Sequence, residues 1–419
     1  MYNETLQKQI HRYLQQHKDA AKTFLTRLIQ IPSFSGQEQE IMTYLEQAFQ
    51  NFGDMRHVFL TNALKTDPDY THKDHEMDHT GQYNLVICKP GQGQGRSIIL
   101  QAHTDTVPAD ESYADAFSGK EEHGFICGRG ACDDKGGIAV LFLVLKCLHD
   151  LGIKLLGNLD VQLVVEEESG GNGALACVLH SPPADGVIVM EATELHIHPS
   201  NRGALWFRIQ VEGKSVHMGK ITEGVNAIEK GIKIIQALRA YEQQLIQESK
   251  GYPGFEKYQQ PVQVNIGTIH GGEYPSTVAG HVTIEGGVGF LPNKNLALIK
   301  QELHQTIQAL ADPWIQEHYT LDFPKLHNEA FESSFDHPLV TTLKNSCEQI
   351  GLRPDVCGLD VSCDARLYAI KGKMPTLVFG PGNIADAHSH HEKVKVDDIL
   401  LAAEALLGFL IDWCGTGTA

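Results

Sequence analysis

The sequence predicts an α/β protein with a mostly parallel sheet in its main domain and a smaller α+β domain inserted into that domain. Two observations predict this fold. Short, nearly continuous apolar runs are separated by helical patterns over most of the chain, whereas strands between residues 203 and 326 strictly alternate apolar and polar residues. The first pattern is typical of strands buried on both faces, and the second of a sheet with one face open to solvent.

Four apolar runs predict the buried strands of the main domain. A helical pattern over 136–152 follows a glycine-rich turn, and another over 338–350 leads into the last of these strands. Because parallel strands are joined by crossover connections, this order favours a parallel sheet covered by helices. The runs are SIILQAHTD (97–105), LDVQLVVEEE (159–168), GVIVMEAT (186–193) and PTLVFGPG (375–382).

The segment 203–326 predicts a separate α+β domain. ALWFRIQVEG and PVQVNIGTI alternate apolar with polar side chains, and amphipathic helical patterns follow such strands. One helical pattern carries its apolar residues between 225 and 238, the other between 296 and 310. We therefore divide the chain into a main domain of residues 1–202 and 327–419 and an inserted domain of residues 203–326.

The charge balance disfavours nucleic acid and anionic membranes as partners. Lys and Arg total 34 against 52 Asp and Glu, so the formal net charge is −18, and there is no basic tract. A cationic cofactor suits this balance better. No apolar stretch approaches the roughly 20 residues of a membrane span, and the N-terminal pattern is a polar amphipathic helix without a signal-peptide core. We therefore expect a cytoplasmic protein whose nine cysteines are reduced and buried.

The polar loop THKDHEMDH, residues 71–79, is the one segment of low complexity. Because such tracts are compositional, its histidines are interpreted as solvated loop residues, with metal binding as the alternative. No internal repeat accompanies it.

Imidazole and carboxylate groups stand where the predicted strands end, which is where open α/β sheets bind their ligands. Each group alone could be a hydrogen-bonded surface pair, a solvated turn or a buried acid paired with an arginine. Their coincidence in five segments predicts a metal site with oxygen and imidazole ligands, the set that a catalytic zinc site offers. The five segments carry His103 and Asp105; Asp133 and Asp134; Glu167 and Glu168; Glu191; and His388.

The number of candidate ligands predicts two metal ions. Two histidines and at least three carboxylates exceed the three protein ligands of a single open zinc site, and a bridging carboxylate would hold two ions about 3.5–4 Å apart. Asp133 lies in the turn GRGACDDKGG, which lacks the remaining residues of a dinucleotide or phosphate-loop fingerprint. Because neighbouring strand residues point to opposite faces, Glu167 and Glu168 are expected to divide two tasks, metal ligand and general base.

Five motifs in order, HTDTVP, GRGACDDKGG, EEESGG, MEAT and AHSHHE, resemble a zinc-dependent metallopeptidase and deacylase family. This is the family of acetylornithine deacetylase, succinyl-diaminopimelate desuccinylase, carboxypeptidase G and aminoacylase. The resemblance extends from LIQIPSFSG to the C-terminus. It implies a main domain with a zinc-exopeptidase-like fold and a ferredoxin-like inserted domain that acts as a lid and forms a homodimer.

The resemblance also implies roles for single residues. Asp105 would fix the tautomer of the His103 imidazole, and Glu167 would be the general base. His217, in KSVHMG, would reach across the dimer to stabilise the oxyanion. The cofactor would be two Zn²⁺ ions, with Co²⁺ or Mn²⁺ as possible substitutes. One zinc would be bound by His103 and Glu191, the other by Glu168 and His388, and Asp133 would bridge them.

Substrate choice rests on three further positions. Arg202 and Arg366 could bind a substrate carboxylate, or could form hinge and scaffold ion pairs. Many family members have an Asn and then an Arg in this part of the inserted domain. This chain has Ser276, in GGEYPSTVAG, and Gly287, in IEGGVGFLP, instead. The absence of that arginine argues against a di-acid substrate.

We therefore expect an amidohydrolase that removes a small N-acyl group from an amino acid or amine and resembles acetylornithine deacetylase. The alternatives are a di- or carboxypeptidase, a deformylase of an N-formyl-aminopyrimidine, and a catalytically silent metal-binding relative.

Overall fold

The computed structural model of the protein describes residues 4–72 and 77–417. Ten α-helices lie in these ranges, and short helical turns cover residues 62–66, 218–223 and 367–371. The α-helices are α1 (Glu4–Gln16), α2 (Lys18–Ile29), α3 (Gln39–Phe49), α4 (Lys135–Asp150), α5 (Asn172–His180), α6 (Ala227–Glu248), α7 (Leu296–Gln308), α8 (Pro313–Glu317), α9 (Pro338–Gln349) and α10 (Val396–Cys414).

Seventeen strands in the described ranges form three sheets of nine, five and three strands. The strands are β1 (Asp54–Phe59), β2 (Tyr83–Lys89), β3 (Ile98–His103), β4 (Lys120–Glu122), β5 (Phe125–Cys127), β6 (Leu159–Val164), β7 (Val187–Val189), β8 (Ile197–Asn201), β9 (Gly203–Glu212), β10 (Gln263–Gly271), β11 (His281–Phe290), β12 (Tyr319–Asp322), β13 (His327–Asn328), β14 (Phe331–Glu332), β15 (Val356–Leu359), β16 (Thr376–Val378) and β17 (Lys393–Lys395).

The nine-stranded sheet has a parallel centre. Its order is β1-β2-β6-β3-β7-β16-β8-β14, with β15 also paired to β8. Strands β6, β3, β7 and β16 run parallel, whereas β1, β2 and β14 are antiparallel to their neighbours. Nearly every residue of the four central strands is buried, as expected for strands covered on both faces. Their carboxyl ends therefore meet at one edge of the sheet.

The five-stranded sheet belongs to a ferredoxin-like unit. Strands and helices follow one another as β9-α6-β10-β11-α7-β12, and the sheet order is β10-β11-β9-β12 with antiparallel pairing. Alternate residues of β9, among them Leu205 and Phe207, are buried in a core of their own with apolar residues of α6 and α7. Asn226 starts α6 by accepting hydrogen bonds from the backbone N–H groups of Ile228 and Glu229.

The predicted fold class is confirmed. The four apolar runs contain β3, β6, β7 and β16, and the two alternating segments overlap most of β9 and β10. The helical pattern over 136–152 is α4, which packs against β3 and α10.

Strand β8 is buried but lacks the apolar pattern that predicts the central strands. Strand β8 has the sequence IHPSN, and all five residues are buried although three of them are His, Pro or Asn. The side chains find partners inside the protein. His198 lies 3.0 Å from the carbonyl oxygen of Cys357, and Ser200 donates a hydrogen bond to the carbonyl of Phe331. A hydropathy pattern cannot register polar groups that are satisfied by tertiary contacts.

The division into residues 1–202 with 327–419 and residues 203–326 stays a prediction. The two sheets have separate hydrophobic cores. Strand β13, however, pairs with β9 through His327 and Asn328, so pairing with the five-stranded sheet continues past residue 326.

The last residue of the polar loop is more enclosed than the composition of the loop indicated. His79 is buried, with its ring nitrogens 2.9 Å from the Tyr70 hydroxyl and 2.8 Å from Oε1 of Gln82. The interpretation of its histidines as solvated is therefore wrong for His79. His75 lies outside the described residues.

None of the helices in residues 4–72 and 77–417 combines the length and the apolar character needed to cross a membrane.

Candidate metal centre

The carboxyl ends of the central strands bring the predicted ligands to one edge of the nine-stranded sheet. His103 is the last residue of β3, and Glu168 follows β6 after a short turn. Glu191 comes two residues after β7, and Asp133 lies just before α4. His388 lies in the loop after β16 with a left-handed backbone, φ 59°. Four neighbouring parallel strands and one helix start thus supply five candidate ligands.

His103, Asp133 and Glu168 form the centre of the cluster, because one ligand atom of each lies within 4.8 Å of the other two. Nε2 of His103 lies 2.9 Å from Oδ1 of Asp133. Nε2 of His388 lies 3.2 Å from Oδ2 of Asp133 and 3.1 Å from the carboxylate of Glu168. The two oxygens of Asp133 therefore face different histidines, as a bridging carboxylate requires.

The electrostatics of the cluster are those of an acid-rich site. Hydrogen bonds that His388 donates to the carboxylates of Asp133 and Glu168 raise the pKa of His388 to about 10. Burial and the charge of Asp133 raise the pKa of Glu191 well above its usual value, and His103 partly opposes them. Burial also raises the pKa of Glu168. Positive charge placed among these carboxylates would stabilise their ionised forms.

Glu167 sits beside this cluster as a carboxylate of raised pKa. Burial is the largest cause, followed by the charge of Asp364, and the charge of His103 opposes both. Asp364 is itself buried and accepts a hydrogen bond from Gln101 at 3.0 Å. A carboxyl group that takes up a proton readily is suited to a general base, which must both accept and return one.

Asp105 does more than the sequence indicated. Its backbone carbonyl lies 3.0 Å from Nδ1 of His103, which orients the imidazole. Its carboxylate accepts hydrogen bonds from the backbone N–H of Glu167 at 3.0 Å and of Glu168 at 3.1 Å. The Ser35 hydroxyl donates to the same carboxylate at 2.6 Å. One buried aspartate therefore positions a histidine on one strand and the glutamate pair on the next.

Glu166 has a task separate from its two neighbours. It is fully buried, with a left-handed φ of 61°, at the point where the chain turns after β6. Its carboxylate accepts hydrogen bonds from Gln82 at 2.9 Å and Asn172 at 3.0 Å. Its backbone N–H donates to the buried Glu38 at 3.3 Å. The only sequence signal was that a third carboxylate adjoins an apolar run and needs compensation.

A buried ion pair joins the turn of Asp133 to the loop of His388. Arg129 and Glu392 lie 2.6 Å apart, and both side chains are buried. The other oxygen of Glu392 accepts hydrogen bonds from the backbone N–H of Cys132 at 3.3 Å and of Asp133 at 3.4 Å. No pattern in the sequence indicated this pair, although both residues lie inside the motifs GRGACDDKGG and AHSHHE.

Lys135 anchors the start of α4. Its ammonium group is fully buried and donates to the carbonyl of Leu28, in the last turn of α2, at 3.0 Å and to that of Ile31, just after α2, at 2.8 Å. Burial lowers the pKa of Lys135 to about 7.

Within the described part of the chain, the remaining predicted residues make no hydrogen bond or ion pair to the five candidate ligands. His217 is exposed at the start of a helical turn, where its Nδ1 accepts a hydrogen bond from Gly219. Ser276 is half-buried, and its carbonyl accepts a hydrogen bond from Met218. Arg366 is buried and donates to the carbonyl of Gly170 at 3.0 Å. Nη1 of Arg202 donates to Oε1 of Gln263 at 2.7 Å.

The donor set fits divalent metal ions. Two imidazoles and several carboxylates converge without a thiolate in the cluster, a combination that suits zinc and also manganese or cobalt. Nδ1 of His103 faces a carbonyl, which leaves Nε2 directed at the cluster.

Comparison with known proteins gives consistent matches. A family model described as peptidase family M20/M25/M40 matches residues 99–412. N-formyl-4-amino-5-aminomethyl-2-methylpyrimidine deformylase from Bacillus subtilis is 28% identical over 342 residues, which are 76% of this chain and 79% of that protein. Acetylornithine deacetylase from Vibrio cholerae is 30% identical over 313 residues, 73% of this chain and 78% of that protein.

Solved structures share the fold. A tripeptidase from Staphylococcus aureus superposes with a TM-score of 0.74 and 21% identity, covering 95% of this chain and 98% of that chain. A dinuclear metal-binding peptidase of the M20 family from Bacillus subtilis gives a TM-score of 0.67 at 15% identity, covering 98% and 100%. At these identities the likeness concerns the fold, including the inserted ferredoxin-like unit, because nearly the whole chain is covered.

Proposed function

The chain belongs to peptidase family M20/M25/M40, since the family model matches more than half of it, and we propose that it is a two-metal amidohydrolase that removes a small N-acyl group from an amino acid or amine. Membership confirms the resemblance drawn from the five motifs and makes the chain a hydrolase of amide bonds.

One observation carries the proposal: Asp133 directs one oxygen to His103 and the other to His388, with Glu168 beside both. In the proposed site His103 and Glu191 would hold one ion, Glu168 and His388 would hold the other, and Asp133 would be shared between them. The ions would be Zn²⁺, with Co²⁺ or Mn²⁺ as substitutes. When bound, they would supply Lewis-acid polarisation of the amide carbonyl and a lowered pKa for water.

The chain's own residues handle the proton. Glu167 accepts a proton from the attacking water on its carboxylate and passes it to the nitrogen of the departing amine. Asp105 keeps this carboxylate in place through the backbone N–H of Glu167. His217 would stabilise the oxyanion from a second copy of the chain, because it lies exposed on the inserted unit of its own copy. We therefore also propose a homodimer formed through residues 203–326.

Among substrates, an N-acetyl or N-formyl amine is favoured. The deformylase and deacetylase relatives support removal of a small acyl group. A di- or carboxypeptidase on the same machinery is the second candidate, supported by the tripeptidase likeness in fold. Arg202 and Arg366 remain candidate substrate-binding residues, together with Ser276.

The experiment is a screen of N-acyl substrates with metal-loaded protein, following release of the free amine. Acetyl-, formyl- and succinyl-amines are compared with dipeptides at equal concentration. We expect turnover of acetyl or formyl compounds and little of succinyl compounds. Faster cleavage of dipeptides would favour the peptidase instead. Tight binding of metal without turnover of any amide would favour the alternative that the protein is a catalytically silent, metal-binding relative.

A further inference from the structure

The open face of the five-stranded sheet carries a trough created by glycines. On β11, Gly287 and Gly289 both direct their missing side chains to this face, since they pair with Trp206 and Ala204 of β9. On the other side they pair with Asn265 and Gln263 of β10. Two adjacent rows across three strands therefore have side chains at their edges and bare backbone in the middle.

Contact distances define how narrow the trough is. A Cβ atom at Gly287 would lie 3.4 Å from Cδ1 of Trp206. A Cβ atom at Gly289 would lie 3.2 Å from Nη1 of Arg202 and from Oε1 of Gln263. Because the glycines lack these atoms, a cavity of about 420 Å³ lies over them, with Trp206 in its wall. That volume is within the range of small-molecule sites.

The walls offer one flat apolar surface and several hydrogen-bonding groups. Trp206 is 45% exposed, although the neighbouring residues of β9 on the other face are fully buried. Opposite it, Gln263 and Asn265 present amides, which both donate and accept hydrogen bonds. Nε of Arg202 is buried and has no hydrogen-bond partner within the described residues, so a donor is available at the end of the trough.

Charge in the trough is only partly balanced. Lys325 lines the trough as well, and its Nζ lies 5.8 Å from the centroid of the Trp206 ring. Glu285, which also lines it, forms an ion pair with Arg208 at 2.7 Å. Nη1 of Arg202 donates its hydrogen bond to the uncharged side chain of Gln263. Arg202 and Lys325 place positive charge at the walls, which suits a neutral ring whose nitrogens accept hydrogen bonds.

The trough also begins close to the catalytic sheet. Arg202 directly follows Asn201, whose amide contacts Sγ of Cys363 at 3.5 Å. The next residue, Asp364, acts electrostatically on Glu167. The end of the trough at Arg202 therefore adjoins the segment that reaches the proposed general base.

We propose that this trough binds a planar nitrogen-containing aromatic ring, stacked on the indole of Trp206 with its polar edge hydrogen-bonded to Gln263, Asn265 and Nε of Arg202. Ring nitrogens accept from Arg202 and from the amide NH₂ groups, and an exocyclic amino group donates to an amide oxygen. The ring is the amine half of the substrate, a step that rests on the proposed function. The trough thus selects heteroaromatic over aliphatic amines.

The test measures ring binding without turnover, by calorimetry on the full-length protein. The probe is 4-aminopyrimidine, which has a planar ring with donor and acceptor edges and no amide to cleave. Cyclohexylamine, of similar size but not planar, is the comparison. We expect the pyrimidine to bind at least about tenfold more tightly, the scale of one aromatic stacking contact.

Variants of the trough locate the binding. Trp206→Leu removes the stacking surface, and Gly287→Leu fills the space beside it. Both should weaken 4-aminopyrimidine about tenfold or more. Gln210→Leu places the same side chain on the same face of β9, outside the trough, and should bind as the wild type does. Position 287 is on the open face, so its variant leaves the buried core of the sheet unchanged.

The outcomes separate the trough from the chemistry. Equal binding of the two probes, or wild-type affinity in both Trp206→Leu and Gly287→Leu, would overturn the trough proposal even if amides are cleaved. Ring binding lost in both variants would support the trough even if no amide is cleaved, and only the proposed function would then fail. With turnover, Trp206→Leu should raise KM for N-formyl derivatives of heteroaromatic amines and leave KM for N-formyl alkylamines unchanged.

Discussion

The three consecutive glutamates after β6 differ in what surrounds each side chain. Glu166 is enclosed by the amides of Gln82 and Asn172, so its charge is satisfied within the protein. Glu168 contacts the imidazole of His388. Glu167 has neither arrangement and is left beside the cluster with a raised pKa, caused first by burial. The left-handed turn at Glu166 lets two adjacent carboxylates reach the same site, which a continuous strand would prevent.

Glutamine at each of the last two positions should separate the proposed tasks. Glu167→Gln should bind metal as the wild type does and lose turnover by about 10²–10⁴-fold or more, because the proton acceptor is gone. Glu168→Gln should lose metal instead. Metal content per chain and kcat, measured on the same preparations, check both expectations. Wild-type kcat in Glu167→Gln would contradict its role as the base.

Glu392→Gln should weaken metal binding without removing a ligand. The amide keeps a hydrogen-bond acceptor for the backbone of Asp133 but loses the ion pair with Arg129. Groups that orient metal ligands typically contribute about 10–100-fold to affinity. Competition with a chromogenic chelator measures the change. Glu121→Gln, at an exposed surface ion pair, serves as the matched control and should bind metal like the wild type.

Much of the candidate site could be predicted from the sequence because its residues follow recognisable strands. His103, Glu168 and Glu191 come directly after apolar runs, and the sheet then brings them together. The supporting residues could not be predicted in this way. Glu38, Gln82 and Glu392 are distant in sequence from the groups they contact, and no local pattern encodes such contacts. The tasks of single site residues stay predictions until the variants are measured.

At the scale of elements, apolar runs and alternation predicted the central strands and the open-faced sheet, and β8 shows where they fail. Its polar residues are buried because tertiary partners satisfy them, and its apolar content is too low to register. The antiparallel strands at the edge of the main sheet could not be predicted from the sequence patterns either. The pairing of β1 and β2 depends on which strands lie next to each other, which periodicity does not specify.

Strand β8 should make stability depend on pH through His198. Burial lowers the pKa of His198 from 6.5 to about 4, so the folded protein disfavours the charged form. Its contribution is complete above pH 6.5 and is lost as the pH falls toward 4, up to about 3 kcal/mol. The free energy of unfolding of wild type and His198→Gln, measured by denaturant titration from pH 7.5 to 4, should converge by about that amount. Parallel curves would contradict the assignment.

At the scale of the whole molecule, the main and inserted sheets have separate cores and different residues of the proposed site. The proposed metal ligands and Glu167 belong to the first, and His217 and the glycine trough to the second. The fold likeness to solved peptidases extends over both units. Catalysis would thus need both units, and in the proposed dimer both copies.

Dilution should reveal the second copy. If His217 acts on the partner's site, specific activity should fall as the protein is diluted below the dissociation constant of the dimer. Equal mixing of inactive His217→Ala with inactive Glu167→Gln should restore activity, because some heterodimers contain one complete site. Activity independent of concentration, together with no recovery on mixing, would contradict action across the dimer.

The carboxylate of Asp105 has a consequence for evolution and protein engineering. The carboxylate accepts hydrogen bonds from the backbone N–H groups of residues 167 and 168, and the backbone carbonyl of Asp105 orients the imidazole of His103. If the backbone at position 168 moved to accommodate a different metal ligand, Asp105 would move with it. Glu167 and the imidazole of His103 would then be displaced as well. A substitution at position 168 that changes the preferred metal ion is therefore expected to disturb proton transfer by Glu167 as well. A redesign of the site should include position 105.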